Sequence, residues 1–165
     1  MHTRAAAPDD AAAIAAIYNE GIEDRVATFE TRLRSAEDIR SWFTDARFPV
    51  VVVETDGRVV AFASTSLYRA RDCYAGIAEY SVYVARNARG QGAGRAALLA
   101  LFAAAEAAGF WKLVSRIFVE NTSSRALMQK VGFREVGIYE KHGKLDGVWR
   151  DVVIVEKLLA NADTL

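Results

Sequence analysis

Three glycines fall within the six residues Arg89–Gly94, "RGQGAG", between an alternating apolar run, "YSVYVARNA", and an alanine- and leucine-rich run, "RAALLALFAAAEAAG". In a helix interior each glycine would cost about 1 kcal/mol relative to alanine, and in a strand it removes a packing side chain. The stretch therefore reads as a loop delivered by a strand and leaving into a helix. Such a loop can seat an anion on the unpaired N–H groups and positive dipole end of the helix, or it can be a plain glycine-capped turn; spacing alone leaves both open. It is not a Walker loop, because G-x-x-x-x-G-K-[ST] is absent. Nor does "GQGAGR" complete a dinucleotide fingerprint, since the final glycine is missing and the preceding strand belongs to an antiparallel-looking run.

The chain of 165 residues is the size of one domain, taken here as 1–165, and long enough to bury roughly 70% of the surface its unfolded form exposes. With 21 Lys plus Arg against 21 Asp plus Glu there is no global field to draw it to nucleic acid or an anionic membrane, so any anion site must be local. No apolar stretch is both long and uncharged enough to predict a membrane span. The lone Cys73 excludes an intrachain disulfide, and the absence of a leader-like segment predicts a cytoplasmic protein. In that setting the Asn121-Thr122-Ser123 sequon is accidental.

Periodicity predicts a helix over residues 8–24, opened by Pro8 and two aspartates. A shorter helix is predicted from Ser35 to about Asp45, with Ser35 and Asp38 forming a capping-box-like pair. From Val50 the period changes to that of strands: "VVVVE", a turn at Asp56-Gly57, "RVVAFASTSLY", then "AGIAEYSVYVA". A long helix over 94–108 follows the glycines, then the strand "KLVSRIFVE", a short helix ending near Gly132, and strands at about 133–141 and 148–158. The order is β-α-α-β-β-β-α-β-α-β-β, its opening strand carrying no bounds.

The loop matches R-x-x-G-x-G at Arg89, Gly92 and Gly94, and "VENTSSRALMQKVGF" matches N-x-x-[AS]-x-x-x-[YF]-x-x-x-G-F except at one position. In both segments, and in its element order, the chain resembles the GCN5-related N-acetyltransferase superfamily. The resemblance implies an α+β fold with a mixed, mostly antiparallel central sheet flanked by helices and splayed at the central strand. It implies that Arg89, Gly90, Gln91, Gly92, Ala93, Gly94 and Arg95 hold the pyrophosphate of acetyl-CoA. Asn121 would bind CoA or a structural water, or serve as a helix N-cap or turn residue. The segments "IYNEGI", "ATFET", "YRARDCY", "AEYSVYV" and "DGVWRDV" are similar to the phosphinothricin, arsinothricin and methionine sulfoximine N-acetyltransferases, over nearly the whole chain. Those enzymes transfer acetyl to the α-amino group of a small glutamate-like amino acid. Relatives often carry Tyr or His at the position of Met128, so the usual general acid cannot be carried over.

The chemistry itself requires a base, because an α-ammonium group is no nucleophile until it loses a proton. Glu79, immediately before "YSVYV", is either that base, as the resemblance implies, or a solvent-facing residue at a strand start. Backbone N–H groups of Val82 to Val84 are expected to meet the thioester carbonyl and pantetheine arm where the strand splays beside the loop. Tyr83 faces away from Val82 and Val84, toward either substrate or core; the resemblance implies a catalytic and substrate-binding place for it. For the acidic groups of the substrate a guanidinium fork is the natural partner; Arg71 is the first choice and Arg69 the second, unless the cluster is merely solvated. Phe29 and Tyr74 resemble the aromatic walls of the amino-acid pocket, or are ordinary packing residues. His2 and His142 lie far apart with no ligand cluster, which predicts no metal, and Cys73 reads as a spectator. The apolar strand "VVIVEKLL" is a candidate homodimer contact. Open alternatives are an acetyltransferase for another amine (methionine sulfone, a polyamine, a protein N-terminus) and a non-catalytic CoA-binding module; the two arginines of "YRARD" argue against a polyamine.

Overall fold

Four consecutive valines open a strand, β2 (Val50–Thr55), and all four are buried. A run of that kind suits a strand covered on both faces. Val51 and Val53 turn to one side with Ala61, Ala63, Leu98 and Leu101; Val50 and Val52 turn to the other with Ile14, Ile17, Ile39 and Phe62. The computed structural model, which describes residues 1–164, accordingly has a sheet with helices on both faces.

The remaining elements are β1 (His2–Ala5), α1 (Ala11–Glu23), α2 (Ala36–Arg40), β3 (Arg58–Leu67), β4 (Ile77–Val84), α3 (Ala93–Ala107), β5 (Lys112–Phe118), α4 (Thr122–Lys130), β6 (Arg134–Leu145) and β7 (Val148–Leu158). The seven strands lie in the order β1-β2-β3-β4-β5-β7-β6. Every neighbouring pair is antiparallel except β4 and β5, which run parallel and are joined through α3. This is the expected α+β architecture and element order. Among the described residues no helix is long and apolar enough to cross a membrane.

The boundaries move where local geometry intervenes. The helix predicted from residue 8 opens with a single 3-10 turn, Pro8–Asp10, before α1 begins. Ser35 and Asp38 do form a capping box, with Asp38 N 3.1 Å from Ser35 Oγ and Ser35 N 2.8 Å from Asp38 Oδ2, but α2 tightens to a 3-10 turn after Arg40. Positive φ at both Asp56 and Gly57 (52° and 72°), and again at Asp146 and Gly147 (49° and 79°), makes two tight hairpin turns. β6 runs four residues past its predicted end because a bulge between Tyr139 and Gly143 carries the ladder onward, its Lys141 N–H donating to Asp151 Oδ1 at 2.7 Å.

The candidate dimer contact lies inside the sheet. The strand holding "VVIVEKLL" is β7, which pairs with β5 on one edge and β6 on the other, and buries Val152, Val153 and Val155 within the chain. Both backbone edges are thus paired, while Leu158 stays exposed. The edges of the sheet are β1 and β6.

β4 and β5 pair only over Ile77–Glu79 and Lys112–Val114. Beyond Glu79 the two strands part, and the site lies in that opening.

Candidate active site

The opening between β4 and β5 continues into a cavity of about 1180 Å³ that reaches from the start of α3 to the loop after α1. At one end the α3 N-terminus faces it. Gly92 caps the helix at φ +89°, no side chain bonds to its first turn, and the first helical bond runs from Ala96 N to Gly92 O, at 3.0 Å. The preceding N–H groups, of Ala93, Gly94 and Arg95, carry the positive end of the helix dipole toward the cavity. A Cβ at Gly92 would meet nothing within 4 Å, so the loop surface is open, whereas one at Gly94 would lie 3.1 Å from Leu127 and 3.3 Å from Val84. Gly94 thus lets α3 sit close on β4 and α4. These residues fit a diphosphate such as that of acetyl-CoA.

Arg89 is folded back rather than outward. Its Nε donates to Val84 O at 3.2 Å and its Nη1 is 2.7 Å from Asp24 Oδ2, at the end of α1. Arg86 reaches the same carboxylate at 2.8 Å. Burial pushes the Asp24 carboxyl up, but the hydrogen bonds from Arg86 and Arg89 outweigh it and hold the group below the ordinary carboxylate range. Gln91 turns its amide back onto Asn87 O at 3.1 Å and does not line the cavity. Arg95, in the first turn of α3, does.

Along β4 the backbone alternates. Ala85 N–H donates to Val60 O of β3 at 2.8 Å, so the polar groups of Val84, one residue back, face the opening, where Arg89 finds the carbonyl. By the same alternation Val82 also presents its N–H to the opening, while that of Tyr83 is turned to β3. The expected run of donors from Val82 to Val84 is therefore two, not three.

Side chains alternate as well. Val82 and Val84 pack toward α3, while Glu79, Ser81 and Tyr83 take the face under α1. The Tyr83 ring stands 4.9 Å from that of Tyr18 and 5.6 Å from that of Phe62, centroid to centroid, and burial raises its phenol far above the ordinary value. It is both a packing residue and a cavity wall. Glu79 lines the same cavity and forms an ion pair with Arg116 of β5. Phe29 also lines it, edge-on to Phe118 with centroids 4.8 Å apart. Asn121 caps α4 through Ser124 N at 3.3 Å and donates to Val26 O at 3.1 Å, tying the loop after α1 to the α4 N-terminus. Arg71 and Tyr74 do not line the cavity. Their loop precedes β4 at the end away from the glycines, where Tyr74 packs edge-on to Tyr68.

Met128 is buried and accepts a hydrogen bond from Tyr80 Oη, 2.8 Å from its sulfur. Burial pushes the Tyr80 phenol up, so it stays protonated. Among the cavity residues not singled out from the sequence are Arg116, Asp24, Tyr80 and Lys144. Two-residue alternation already set Arg116 and Phe118 on one face of a strand; the parallel register that brings that face beside Glu79 is a long-range property with no local signal.

The model of the acetyltransferase (GNAT) family matches residues 14–133. The chain is 34% identical over 160 residues to the phosphinothricin N-acetyltransferase of Alcaligenes faecalis, covering 94% of this chain and 81% of that protein. It is 33% identical to an L-amino acid N-acyltransferase of Escherichia coli, over 94% and 92% of the two chains. The crystal structure of a GNAT superfamily phosphinothricin acetyltransferase from Sinorhizobium meliloti in complex with AcCoA superposes with a TM-score of 0.90 at 30% identity, covering 99% of this chain and 91% of that one.

Proposed function

The chain belongs to the acetyltransferase (GNAT) family, and on that premise we propose that it transfers acetyl from acetyl-CoA to the α-amino group of a small glutamate-like amino acid of the phosphinothricin or arsinothricin kind, and so confers resistance to it. It is an acetyl-CoA-dependent N-acetyltransferase. The narrower reading of substrate is supported by the relatives named for phosphinothricin and for L-amino acids. The observation that carries the mechanism is Glu79, a carboxylate at the point where β4 leaves β5, lining the cavity that the α3 N-terminus also faces.

In this reading Gly90, Gly92 and the N–H groups of Ala93, Gly94 and Arg95 hold the pyrophosphate. Acetyl-CoA supplies the acetyl group on a thioester whose C–S bond breaks once the new N–C bond has formed, CoA leaving as the thiolate and taking up the second proton that the amine nitrogen loses. Val82 and Val84 offer N–H groups to the acyl oxygen and the pantetheine arm, donors that need no reorganisation as negative charge develops. Glu79 takes the proton from the ammonium group, directly or through water, freeing the nitrogen lone pair for attack within a ternary complex. Phe29 and Tyr83 wall the acceptor end.

A thiol-release assay with product identification tests this. Acetyl-CoA is offered with phosphinothricin, arsinothricin, methionine sulfoximine, common amino acids, spermidine and a peptide with a free N-terminus. Turnover on the first group is expected; turnover confined to spermidine or the peptide contradicts the substrate reading, and acetyl-CoA binding with no turnover anywhere favours a binding module.

We also propose that residues 1–165 act as one domain and that two copies associate. Continuity of the sheet from β1 to β7 supports the first. Support for the second comes from the β6–β7 hairpin at the outer end of the sheet, where β6 is an edge strand and Ile138, Tyr139, Val148 and Trp149 are each more than half exposed. The free thiol of Cys73, on the surface, suits the reducing cytoplasm. Sedimentation should give twice the chain mass, reverting to the single mass on charge substitution at Ile138.

A further inference from the structure

Glu79 and Arg116 form an ion pair on the acceptor face of the sheet, Glu79 from β4 and Arg116 from β5, just where the strands separate. Arg116 is placed there by alternation with Phe118, whose ring meets Phe29 at the wall of the same cavity. Both side chains stay partly solvated, at 30% and 46% exposure, so the pair is held by no surrounding shell and can be opened by a competitor. No other ion pair or side-chain hydrogen bond of either residue is present among the described residues.

A carboxylate and a guanidinium in contact are the mirror image of an α-amino acid, which carries an ammonium and a carboxylate on one carbon. We propose that Arg116 is the residue that reads the α-carboxylate of the acceptor, and that the acceptor zwitterion enters by exchanging partners with this pair. This deepens, and rests on, the reading of the protein as an α-amino-acid N-acetyltransferase. The acceptor carboxylate takes the Arg116 fork through charge-assisted hydrogen bonds, and the ammonium is left against Glu79. No net charge is created in the cavity by the exchange, which keeps desolvation small. Two consequences follow for chemistry. The amine is aimed at the opening between β4 and β5 by its own carboxylate, and the Glu79 oxygen that Arg116 occupied is released to accept a proton only when the correct acceptor is present. The distal acid of a glutamate-like side chain lies away from Arg116 and has the Lys144 ammonium and the His142 ring, both of β6, within the same walls.

The test uses the intact enzyme with phosphinothricin, its α-carboxamide, and methionine sulfoximine, whose side chain lacks the acid. In the wild type, kcat/KM should fall about 10- to 100-fold from phosphinothricin to its α-carboxamide, the size expected for losing a hydrogen-bonded charge. In Arg116→Gln that discrimination should collapse to near unity, through KM for the acceptor, while the acetyl-CoA dissociation constant stays within about twofold. Arg116→Lys, which keeps the charge without the fork, should fall between, and it also serves if the glutamine variant does not fold. Preference for phosphinothricin over methionine sulfoximine should survive in both variants. Equal losses on acid and amide, or loss of the side-chain preference instead, overturn the assignment of Arg116 while leaving the acetyltransferase reading intact. A wild-type enzyme that acetylates only amines lacking an α-carboxylate overturns both.

Discussion

The Asp24 carboxylate at the end of α1 lies 2.7 Å from the Arg89 guanidinium, joining the end of α1 to the glycine loop before α3. Arg89 also holds the Val84 carbonyl, so in this conformation it braces the glycine loop. Asp24→Asn and Arg89→Ala should each raise the acetyl-CoA dissociation constant by about three- to tenfold, and the double variant should be no worse than the more severe single one. Calorimetric titration of the four proteins measures this; additive losses would mean that Arg89 acts on the cofactor independently of Asp24.

Tyr80 and Met128 make a buried O–H···S contact, 2.8 Å long, against the ring of Phe133. Met128→Leu leaves the hydroxyl without its partner in an apolar setting and should destabilise the protein by about 1–3 kcal/mol. Adding Tyr80→Phe removes the stranded group and should recover most of that loss. Urea unfolding of the single and double variants gives the comparison.

A methyl group at Gly21 would lie 2.5 Å from two atoms of the Tyr83 ring, which Tyr18 and Phe62 hold from the other sides. Gly21→Ala should destabilise by about 1–3 kcal/mol. Because the displaced ring is also a cavity wall, the acceptor KM should rise while acetyl-CoA binding is spared; steady-state kinetics with each substrate varied in turn will show it.

The capping box of α2 sets a pH dependence. Hydrogen bonds from the Ser35 backbone and then from Arg32 hold the Asp38 carboxyl down to about 2. Its ordinary value is about 3.9, so its stabilising contribution is complete above that value and fades as pH falls toward 2. The difference in melting temperature between wild type and Asp38→Ala should be constant from pH 5 to 7 and shrink toward zero near pH 2, as followed by circular dichroism.

Much of this arrangement is legible in the residues themselves. The glycine loop between a strand and an apolar helix, the valine run of β2 and the Ser35–Asp38 cap are local patterns, and each leads to the element formed. Glu79 and Phe29 could be named because short segments around them resemble known enzymes. What local pattern does not carry is which distant side chain arrives beside them. Arg116 is 37 residues from Glu79, and only the parallel register of β4 and β5 brings the two together. The same limit explains Arg71 and Tyr74: their loop has the right residue types for an acidic substrate, but the chain enters β4 from the end away from the glycine loop, and in this fold neither residue reaches the cavity. The apolar run of β7 likewise carries no local sign that β5 and β6 will occupy both its edges.

The role of Glu79 as base stands or falls with Glu79→Gln. The amide keeps the size of the side chain and its place at the parting of β4 and β5, but cannot take the ammonium proton. With phosphinothricin as acceptor, kcat should fall by about 10²- to 10⁴-fold, most strongly at the acid end of the pH–rate profile, while the acetyl-CoA dissociation constant is unchanged. A variant that keeps the wild-type rate and pH–rate profile would remove Glu79 from the mechanism and with it the account of how this cavity works.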